Sequence, residues 1–437
     1  MHKISKDTRI PDVNTVCNIL TKNNERMGIC IDYDKLLEYY SYAVIMSRDK
    51  RPRLQKYLGI SPNENMTETV FCNALMRLGV REGLGVTEGG SVSVSTDSLQ
   101  SAIDTGMYTP ELNAIMKAKI ELNEWEYTVS HLYQLTRYDP VNIPTFDGHR
   151  MIVVRPTWVP QNTGRFAMRN PPIQNIAKKF SDILTVPEGW VLWYCDSSQI
   201  EPRIIYSAFI PDKQIQALIK LYNDAYFGIL HYVTMPIADI ASGRLDFEKH
   251  EITDEMKAKR QALKRLGNGV MYGKASNPDN DPLTAAYIQR IGGHPIRVKW
   301  QKSMENAVDA GQDIFPTYFG TPINIKIGEG REKYLSNPEA LRRHDIRCAI
   351  NNPIQGTAGD LARYSVVNVD HFLTRNCPNS VILDYVHDSS MFAIHEDEWD
   401  KAIDYLKDAV VYDVEGWLPI YSEGEKGRHE ALFADII

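Results

Sequence analysis

The chain has few cysteines and no long apolar run, and each absence excludes a class of protein. Its six cysteines are scattered among 437 residues with no C-x-x-C spacing, which argues against a disulfide framework or a zinc cluster and favours a reducing compartment. No stretch approaches the roughly 18 uncharged apolar residues of a transmembrane helix. The amino-terminal residues have neither the apolar core nor the cleavage site of a signal peptide. We therefore expect a cytoplasmic protein with no membrane partner.

Charge of one sign does not dominate the chain either. The net charge of −7 excludes a wholly basic nucleic-acid coat, although it does not decide what a local cleft binds. Hydrophobic residues make up 43% and charged residues 24%, which excludes a disordered or collagen-like chain. At roughly 150 residues per domain, the length allows about two to four domains or one multi-lobed catalytic unit.

The order of the predicted elements favours an α+β fold. Residues 32–57 and 110–138 are predicted to be long helices, the second with apolar side chains at helical spacing and a proline at its start. Residues 190–195 form a short apolar run typical of a buried strand. Residues 214–275 look helical, and residues 381–394 show a hairpin pattern around a polar tip. Helices, a strand, more helices and a hairpin predict one sheet assembled from distant segments.

The first motif with chemical meaning follows the predicted strand. Residues 196–203 read D-S-S-Q-I-E-P-R, so Asp196 places a carboxylate at the strand's mouth. Mg²⁺ prefers one or two carboxylates, with substrate phosphates and waters completing its shell. The alternative is a plain strand-to-helix turn capped by Asp196, and for this motif alone we favour that alternative.

The second motif is the tip of the predicted hairpin, V-H-D at residues 386–388. A turn between two buried strands can present one carboxylate rigidly. Asp388 lies far along the chain from Asp196, yet two aspartates at strand ends can meet in one sheet. The other H-D pair, at residues 344–345, lacks flanking strand residues, so we do not select it.

The third motif is a basic stripe, in which Arg260, Lys264, Asn268 and Tyr272 recur every four residues on one helical face. Residues 256–274 contain six lysines or arginines and no acid. Such a stripe suits a triphosphate, to which arginine gives bidentate contacts and lysine a mobile charge. A solvated basic face is the alternative.

Together and in this order, the three motifs resemble the polymerase region of family A DNA polymerases, the bacterial DNA polymerase I type. In that family motif A reads D-Y-S-Q-I-E-L-R, motif B reads R-x3-K-x3-[FY]-G-x2-Y-G and motif C reads V-H-D-E. Further similar segments are T-G-R at 163–165, I-Q-N-I at 173–176, L-H-x2-T at 230–234 and R-x3-N-x3-Q-G-T-A at 347–358. The specific match covers about residues 155–395; residues 24–140 match only in layout.

The resemblance implies a right-hand polymerase with an antiparallel palm sheet, helical fingers and a helical thumb. The implied divisions are an N-terminal segment at 1–23, thumb at 24–150, palm at 151–205, fingers at 206–340 and palm again at 341–437. The expected activity is template-directed addition of deoxynucleotides to a primer 3′-hydroxyl. The expected partners are primer-template DNA and deoxynucleoside triphosphates.

The resemblance also assigns roles to residues. Two Mg²⁺ ions, with Mn²⁺ as a substitute, would be held by Asp196, Asp388 and the backbone carbonyl of Ser197, and Lys264 would act on the leaving phosphates. The implied nucleotide-binding residues are Arg260, Lys264, His231, Asn268, Tyr272, Gln199 and Glu201. The implied DNA-binding residues are Arg165, Gln174, Asn175, Arg347, Asn351, Gln355 and His387.

Four positions depart from the family pattern. Ser389 replaces a glutamate of the metal site, and Asn268 replaces an aromatic residue near the incoming sugar. Gly267 replaces an asparagine, which should loosen the helix by about 1 kcal/mol relative to alanine. Ser197 replaces a tyrosine, which is mild because the family uses the backbone carbonyl there.

Two other functions stay open at this point. A single-subunit RNA polymerase of the phage type shares the palm and the Asp/Arg/Lys/Tyr pattern, but Glu201 argues against it because an acid under the sugar would clash with a 2′-hydroxyl. A catalytically weak, polymerase-fold DNA-binding subunit is disfavoured by the retention of both aspartates, although Ser389 keeps it open.

We also expect no proofreading activity in this chain. A 3′–5′ exonuclease of this family uses D-x-E, which is absent from the first 160 residues. Residues 1–23 would then be either a frayed terminus or the docking site of a separate exonuclease subunit or another replisome protein. Because the chain begins where the thumb begins, we expect a compact replication enzyme of phage or plasmid type, in the host cytoplasm if viral.

Overall fold

The structure is a computed structural model. It describes residues 3–80, 84, 92–104, 106–143, 145, 148–236, 238–239, 248–271, 282–327, 338–386 and 389–427. The helices in this part of the chain are α1 (Val13–Arg26), α2 (Tyr33–Leu58), α3 (Glu68–Arg77), α4 (Thr96–Asp104), α5 (Pro110–Leu135), α6 (Ile200–Ile204), α7 (Lys213–Tyr222), α8 (Ala225–Thr234), α9 (Asp254–Met271), α10 (Pro282–Tyr287), α11 (Pro295–Asp309), α12 (Pro338–Asn376) and α13 (Trp399–Ala409).

The strands are short and come from all parts of the chain. They are β1 (Lys3–Ile4), β2 (Ile29–Asp32), β3 (Met151–Val154), β4 (Thr157–Pro160), β5 (Phe166–Arg169), β6 (Leu184–Thr185), β7 (Trp190–Ser197), β8 (Ile314–Pro316), β9 (Pro322–Asn324), β10 (Val381–Val386), β11 (Ser389–His395), β12 (Asp413–Val414) and β13 (Ser422–Gly427). Among the described residues no helix combines the length and hydropathy that crossing a membrane requires.

The central element is a four-stranded antiparallel sheet with the order β10-β11-β7-β13. The apolar residues of β7 and β11 place this sheet in the core, where the rings of Trp193 and Phe392 lie 5.3 Å apart. The α+β prediction, with one sheet built from distant segments, is confirmed. The predicted strand at 190–195 and the hairpin at 381–394 are also confirmed.

Helix α12 packs against the sheet and passes close to other backbone segments. Its apolar residues Ala362, Val366 and Val369 share the core with β10. A Cβ at Gly356 would lie 2.8 Å from Thr317 Cγ2, and one at Gly359 would lie 3.1 Å from the backbone of Gly164. Only a residue without a side chain allows such approaches, which explains the two glycines of this segment. The H-D pair at 344–345 lies within this helix.

The two long helices of the predicted thumb are confirmed, and their ends follow the sequence. Asp32 caps α2 by accepting a bond from the Lys35 amide, and Thr109 caps α5, which begins with a proline. Gly59 ends α2 in the left-handed conformation. Helices α7, α8 and α9 occupy most of the described part of residues 214–275, as predicted.

The described part of the N-terminal segment is packed, so the frayed-terminus interpretation is wrong for it. Strand β1 pairs in parallel with β12, and the buried Ile4 accepts a hydrogen bond from the Glu415 amide. Val16 and Leu20 of α1 lie in the same core as the central sheet. The domain boundaries stay predictions, but those at 23 and 340 fall inside α1 and α12.

Candidate active site

Strand β7 carries Asp196 to the end of the central sheet. Asp196 has Ser389 of β11 as its Cα partner on one side and Glu423 of β13 on the other, and it is exposed. His387 and Asp388 lie outside the described residues, but Val386 and Ser389, which flank them in sequence, are paired. The described ends of the hairpin therefore lie beside Asp196, and the predicted meeting of Asp196 with Asp388 stays a prediction.

The turn after β7 is held by the side chain of Gln199. Its backbone is left-handed, with φ 57° and ψ 43°, a conformation that costs a residue other than glycine about 1 kcal/mol or more. The Gln199 amide nitrogen donates to Asp224 Oδ2 at 2.6 Å, and its oxygen accepts from the Ala225 amide at 2.6 Å. These bonds fix the turn, and a role of Gln199 in nucleotide binding stays a prediction.

Arg203, the last residue of the motif at 196–203, holds neighbouring backbone segments together. It is 1% exposed, and its guanidinium donates to the carbonyls of Ser198, Pro419 and Asn223. Burial lowers the pKa of Arg203, opposed by the charges of Asp224 and Tyr421. These bonds tie the motif to the chain that leads into β13.

An ion pair joins two residues for which different roles were predicted. Arg165 Nη2 lies 2.6 Å from Glu201 Oε1, and the two side chains are 11% and 22% exposed. Tyr226 lies close to the same carboxylate: burial, followed by the charge of Glu201, raises the pKa of its hydroxyl to about 12. The predicted sugar-selecting acid and the predicted minor-groove arginine therefore touch.

Helix α9 carries the basic stripe. Arg260 donates from Nε and Nη2 to Asp224 Oδ2, at 3.0 and 2.6 Å, and Lys264 is exposed. A Cβ at Gly267 would lie 3.2 Å from the Tyr287 hydroxyl, so packing explains why asparagine is replaced there. The side chain of Asn268 and all of Tyr272 lie outside the described residues.

His231, predicted to bind phosphate, lies within the protein. It is 2% exposed on α8, its Nδ1 lies 2.9 Å from the Tyr222 hydroxyl, and its ring stacks on His250 at 4.3 Å. The structure thus brings this histidine into an aromatic cluster, and its phosphate-binding role stays a prediction.

Of the predicted DNA-binding residues that the structure describes, three lie on α12, one lies in the β4–β5 turn and two lie in a short 3₁₀ helix after β5. Arg347, Asn351 and Gln355 follow one another at four-residue spacing along α12. Gln355 and Thr163 line a groove of about 460 Å³ between α12 and the β4–β5 hairpin. Two of the others have local contacts: Gln174 accepts from the Met168 amide at 2.8 Å, and Asn175 lies 3.5 Å from His131 Nε2. The third, Arg165, pairs with Glu201.

Sequence reasoning missed two residue sets. A buried ion pair between Asp360 and Arg363 lies beneath Gly164, whose Cβ would come within 3.5 Å of the Arg363 guanidinium. No pattern in the sequence indicated that pair. The second is Asp224, which accepts from both Gln199 and Arg260; its position before the apolar start of α8 is a capping signal that could have found it.

The fold defined by this sheet and its flanking helices is that of a polymerase. The chain is similar to a solved structure described as the POL domain of Pol1 from M. smegmatis in complex with DNA primer-template and dNTP. The TM-score is 0.73 at 20% identity, over 96% of this chain and 70% of that chain. The right-hand prediction is thereby confirmed.

Sequence comparison gives the family. Residues 303–429 match the model of DNA polymerase family A. The chain is 26% identical over 405 residues to DNA polymerase I of Mycobacterium bovis, covering 88% of this chain and 40% of that protein. It is 23% identical over 299 residues to DNA polymerase theta of Drosophila melanogaster, covering 63% of this chain and 14% of that protein. These matches support a polymerase domain of the family A type. The chain spans about two fifths of the length of the DNA polymerase I relatives that it matches over most of its own length.

Proposed function

We propose that the chain is a DNA-directed DNA polymerase, which adds deoxynucleotides to a primer 3′-hydroxyl. The observation that carries the proposal is the register of the central sheet, in which Asp196 is the Cα partner of Ser389. This pairing of residues far apart in the chain supports a site shared by the two motifs. The match of residues 303–429 to the model of DNA polymerase family A, and the DNA and nucleotide bound to the similar M. smegmatis structure, support the same reaction.

The residues at this place fit a divalent-metal site. Asp196 is exposed at a strand end. Asp388 comes directly before Ser389, the register partner of Asp196, in the sequence. With the backbone carbonyl of Ser197 the two aspartates would supply an all-oxygen donor set, which Mg²⁺ and Mn²⁺ prefer. Two such ions, when bound, would activate the primer hydroxyl and neutralise the triphosphate.

The remaining groups bind and orient the substrates. Lys264, exposed on α9, would place a cation against the leaving phosphates, and Arg260 would grip them with its forked donors. Glu201 lies at the start of α6 and would exclude a 2′-hydroxyl from the sugar site. Arg165 and Gln355 would contact the minor groove, where acceptors are shared among base pairs.

We also propose that this chain has no 3′–5′ exonuclease of its own. The support is the absence of D-x-E from its first 160 residues. Asp32 and Asp34, the nearest pair, have other tasks: Asp32 caps α2, and Asp34 pairs with Arg150. A separate exonuclease subunit or another replisome protein remains an expected partner.

Primer extension tests the main proposal. The wild-type chain with Mg²⁺ should extend a primer with deoxynucleotides and only weakly with ribonucleotides. Asp196→Asn should abolish extension and leave the melting temperature and DNA affinity nearly unchanged, because phosphate contacts by other residues dominate DNA binding. Asp397→Asn, at a 90% exposed side chain in the short 3₁₀ helix that follows the far end of β11, is the matched control and should extend normally.

Two outcomes would contradict the proposal. Extension by Asp196→Asn at the wild-type rate would remove the metal assignment, and equal use of ribonucleotides by the wild type would favour an RNA polymerase. For the exonuclease, the wild type is incubated with Mg²⁺ and a mismatched primer without nucleotides. Primer shortening that persists in a nuclease-free preparation would refute the absence of proofreading.

A further inference from the structure

A carboxylate outside the sequence motifs accepts hydrogen bonds from the arginine that is proposed to bind the triphosphate. We propose that Asp224 acts as a latch, which holds Arg260 until an incoming nucleoside triphosphate displaces it. The inference rests on the proposed function, because it concerns the same nucleotide site. The latch consists of three residues: Gln199, Asp224 and Arg260.

The geometry of the latch uses the donors that a phosphate would need. Arg260 Nε and Nη2 form one edge of the guanidinium, and both donate to Asp224 Oδ2, at 3.0 and 2.6 Å. A phosphate engages arginine most strongly through two such parallel donors. Carboxylate and phosphate are both anions, so they compete for this edge.

Asp224 is held firmly while it binds Arg260. Its second oxygen, Oδ1, accepts from the Phe227 amide at 2.8 Å and caps α8, and Gln199 donates to Oδ2 at 2.6 Å. Only 15% of the Asp224 side chain and 25% of the Arg260 side chain are exposed. Burial would raise the pKa of Asp224, but hydrogen bonds from Arg260 and Phe227 outweigh it and lower the pKa, so the carboxylate is charged at neutral pH.

The latch also connects three elements of the proposed nucleotide site. Gln199 belongs to the turn after β7, Asp224 to the start of α8 and Arg260 to α9. Arg260 rests over the rings of Tyr226 and Phe227, at 5.7 and 5.3 Å from their centroids. Nucleotide binding that withdraws Arg260 from this position would remove the ion pair between α9 and the start of α8, while the apolar contacts of Leu263 would remain. The latch thus sets an energetic threshold that only a ligand with strong phosphate contacts overcomes.

The apparent affinity for a nucleotide is proportional to the fraction of molecules in which the latch is open, so it falls when most molecules are latched. If Arg260 is held in about nine molecules of ten, binding is weakened about tenfold. Releasing the latch should therefore tighten binding. The bond from the Ala225 amide to the Gln199 side chain does not involve Asp224 and still holds the turn after β7, so the chemical step should change little.

The test replaces Asp224 by asparagine, which still caps a helix but carries no charge. The dissociation constant of the deoxynucleotide is measured by equilibrium binding to a complex with a dideoxy-terminated primer-template, alongside KM and kcat. Asp224→Asn should lower the dissociation constant and KM about three- to tenfold, with kcat within about twofold. Asp212→Asn is the matched control: Asp212 caps α7 and pairs with His294, and its replacement should change neither constant.

A second variant and a double variant keep the inference open to refutation. Asp224→Ser, which also caps a helix, should tighten binding as asparagine does even if Asp224→Asn folds poorly. In an Arg260→Ala background the Asp224→Asn effect should vanish, because no arginine remains to be released. Unchanged or weaker nucleotide binding by both Asp224 variants, in a wild-type background that extends primers, would overturn the latch and leave the proposed function standing. A wild type that does not extend primers would instead overturn the proposed function.

Discussion

The ion pair between Arg165 and Glu201 predicts that an arginine proposed to contact the DNA minor groove also affects the choice between deoxynucleotide and ribonucleotide. The pair is 2.6 Å long and mostly buried, with side chains 11% and 22% exposed. Hydrogen bonds to charged groups contribute about 1.5–3 kcal/mol, and partial exposure reduces this toward the surface value. A coupling of about 1–2 kcal/mol remains, which corresponds to about a fivefold to 30-fold effect.

The assay compares kcat/KM for a deoxynucleotide and the matching ribonucleotide in a double-mutant cycle. Glu201→Ala should lose most of the discrimination, because the acid itself would be removed. Arg165→Ala should lose about fivefold, since Glu201 would no longer be held against its partner. The double variant should discriminate no worse than Glu201→Ala. Arg169→Ala, an exposed arginine at the end of β5, is the control and should keep the wild-type ratio.

Two results would refute this reasoning. Unchanged discrimination in Arg165→Ala would show that Glu201 is positioned without the arginine. Effects that multiply in the double variant would show that the residues act independently. In either case the contact would be a structural ion pair with no part in selecting the sugar.

Two further predictions follow from single side chains. Lys264→Ala should slow nucleotide addition more than it weakens DNA binding, because a positioned cation acts on charge that develops at the leaving group; equal losses in rate and in affinity, measured by single-turnover extension and DNA titration, would instead indicate a general basic face. Burial raises the pKa of Asp384 to about 7, opposed by a backbone hydrogen bond at Tyr385. Since an unfolded carboxyl titrates near about 4, stability should fall as pH rises from about 4 to about 7, so Asp384→Asn should raise Tm above pH 7 and not at pH 4.

The strands of the site were predictable because their signals are local. The apolar run before Asp196 and the two apolar arms around the V-H-D tip are sufficient for strand assignment. The partner of Asp196 was not predictable, because register depends on which strands become neighbours in the folded sheet. The sequence offered β7 and the hairpin as separate elements, and only the fold places Ser389 opposite Asp196. It also adds β13 on the other side, which no pattern indicated.

Side-chain partners were less predictable still. The spacing of Arg260 and Lys264 indicates a shared helical face, but not that Asp224 would occupy the arginine. Such a bond depends on how α8 and α9 pack, which is a tertiary property. The capping position of Asp224 was readable, since an aspartate before an apolar helix start is a common signal. The partners of its other oxygen, Oδ2, could not be predicted.

The residues of a motif therefore divide into two physical kinds: those exposed to a substrate and those buried in support of the fold. The sequence alone does not separate them. Asp196, Glu201 and Lys264 have exposed or half-buried side chains, as contact with a substrate would require. Arg203 has the same standing in the motif but is 1% exposed and fully committed to backbone carbonyls. A buried cation that loses its partners, or carbonyls that lose their donor, costs far more than a surface contact. Activity lost through Arg203 would accordingly report on folding, whereas activity lost through Asp196 in a folded chain reports on chemistry.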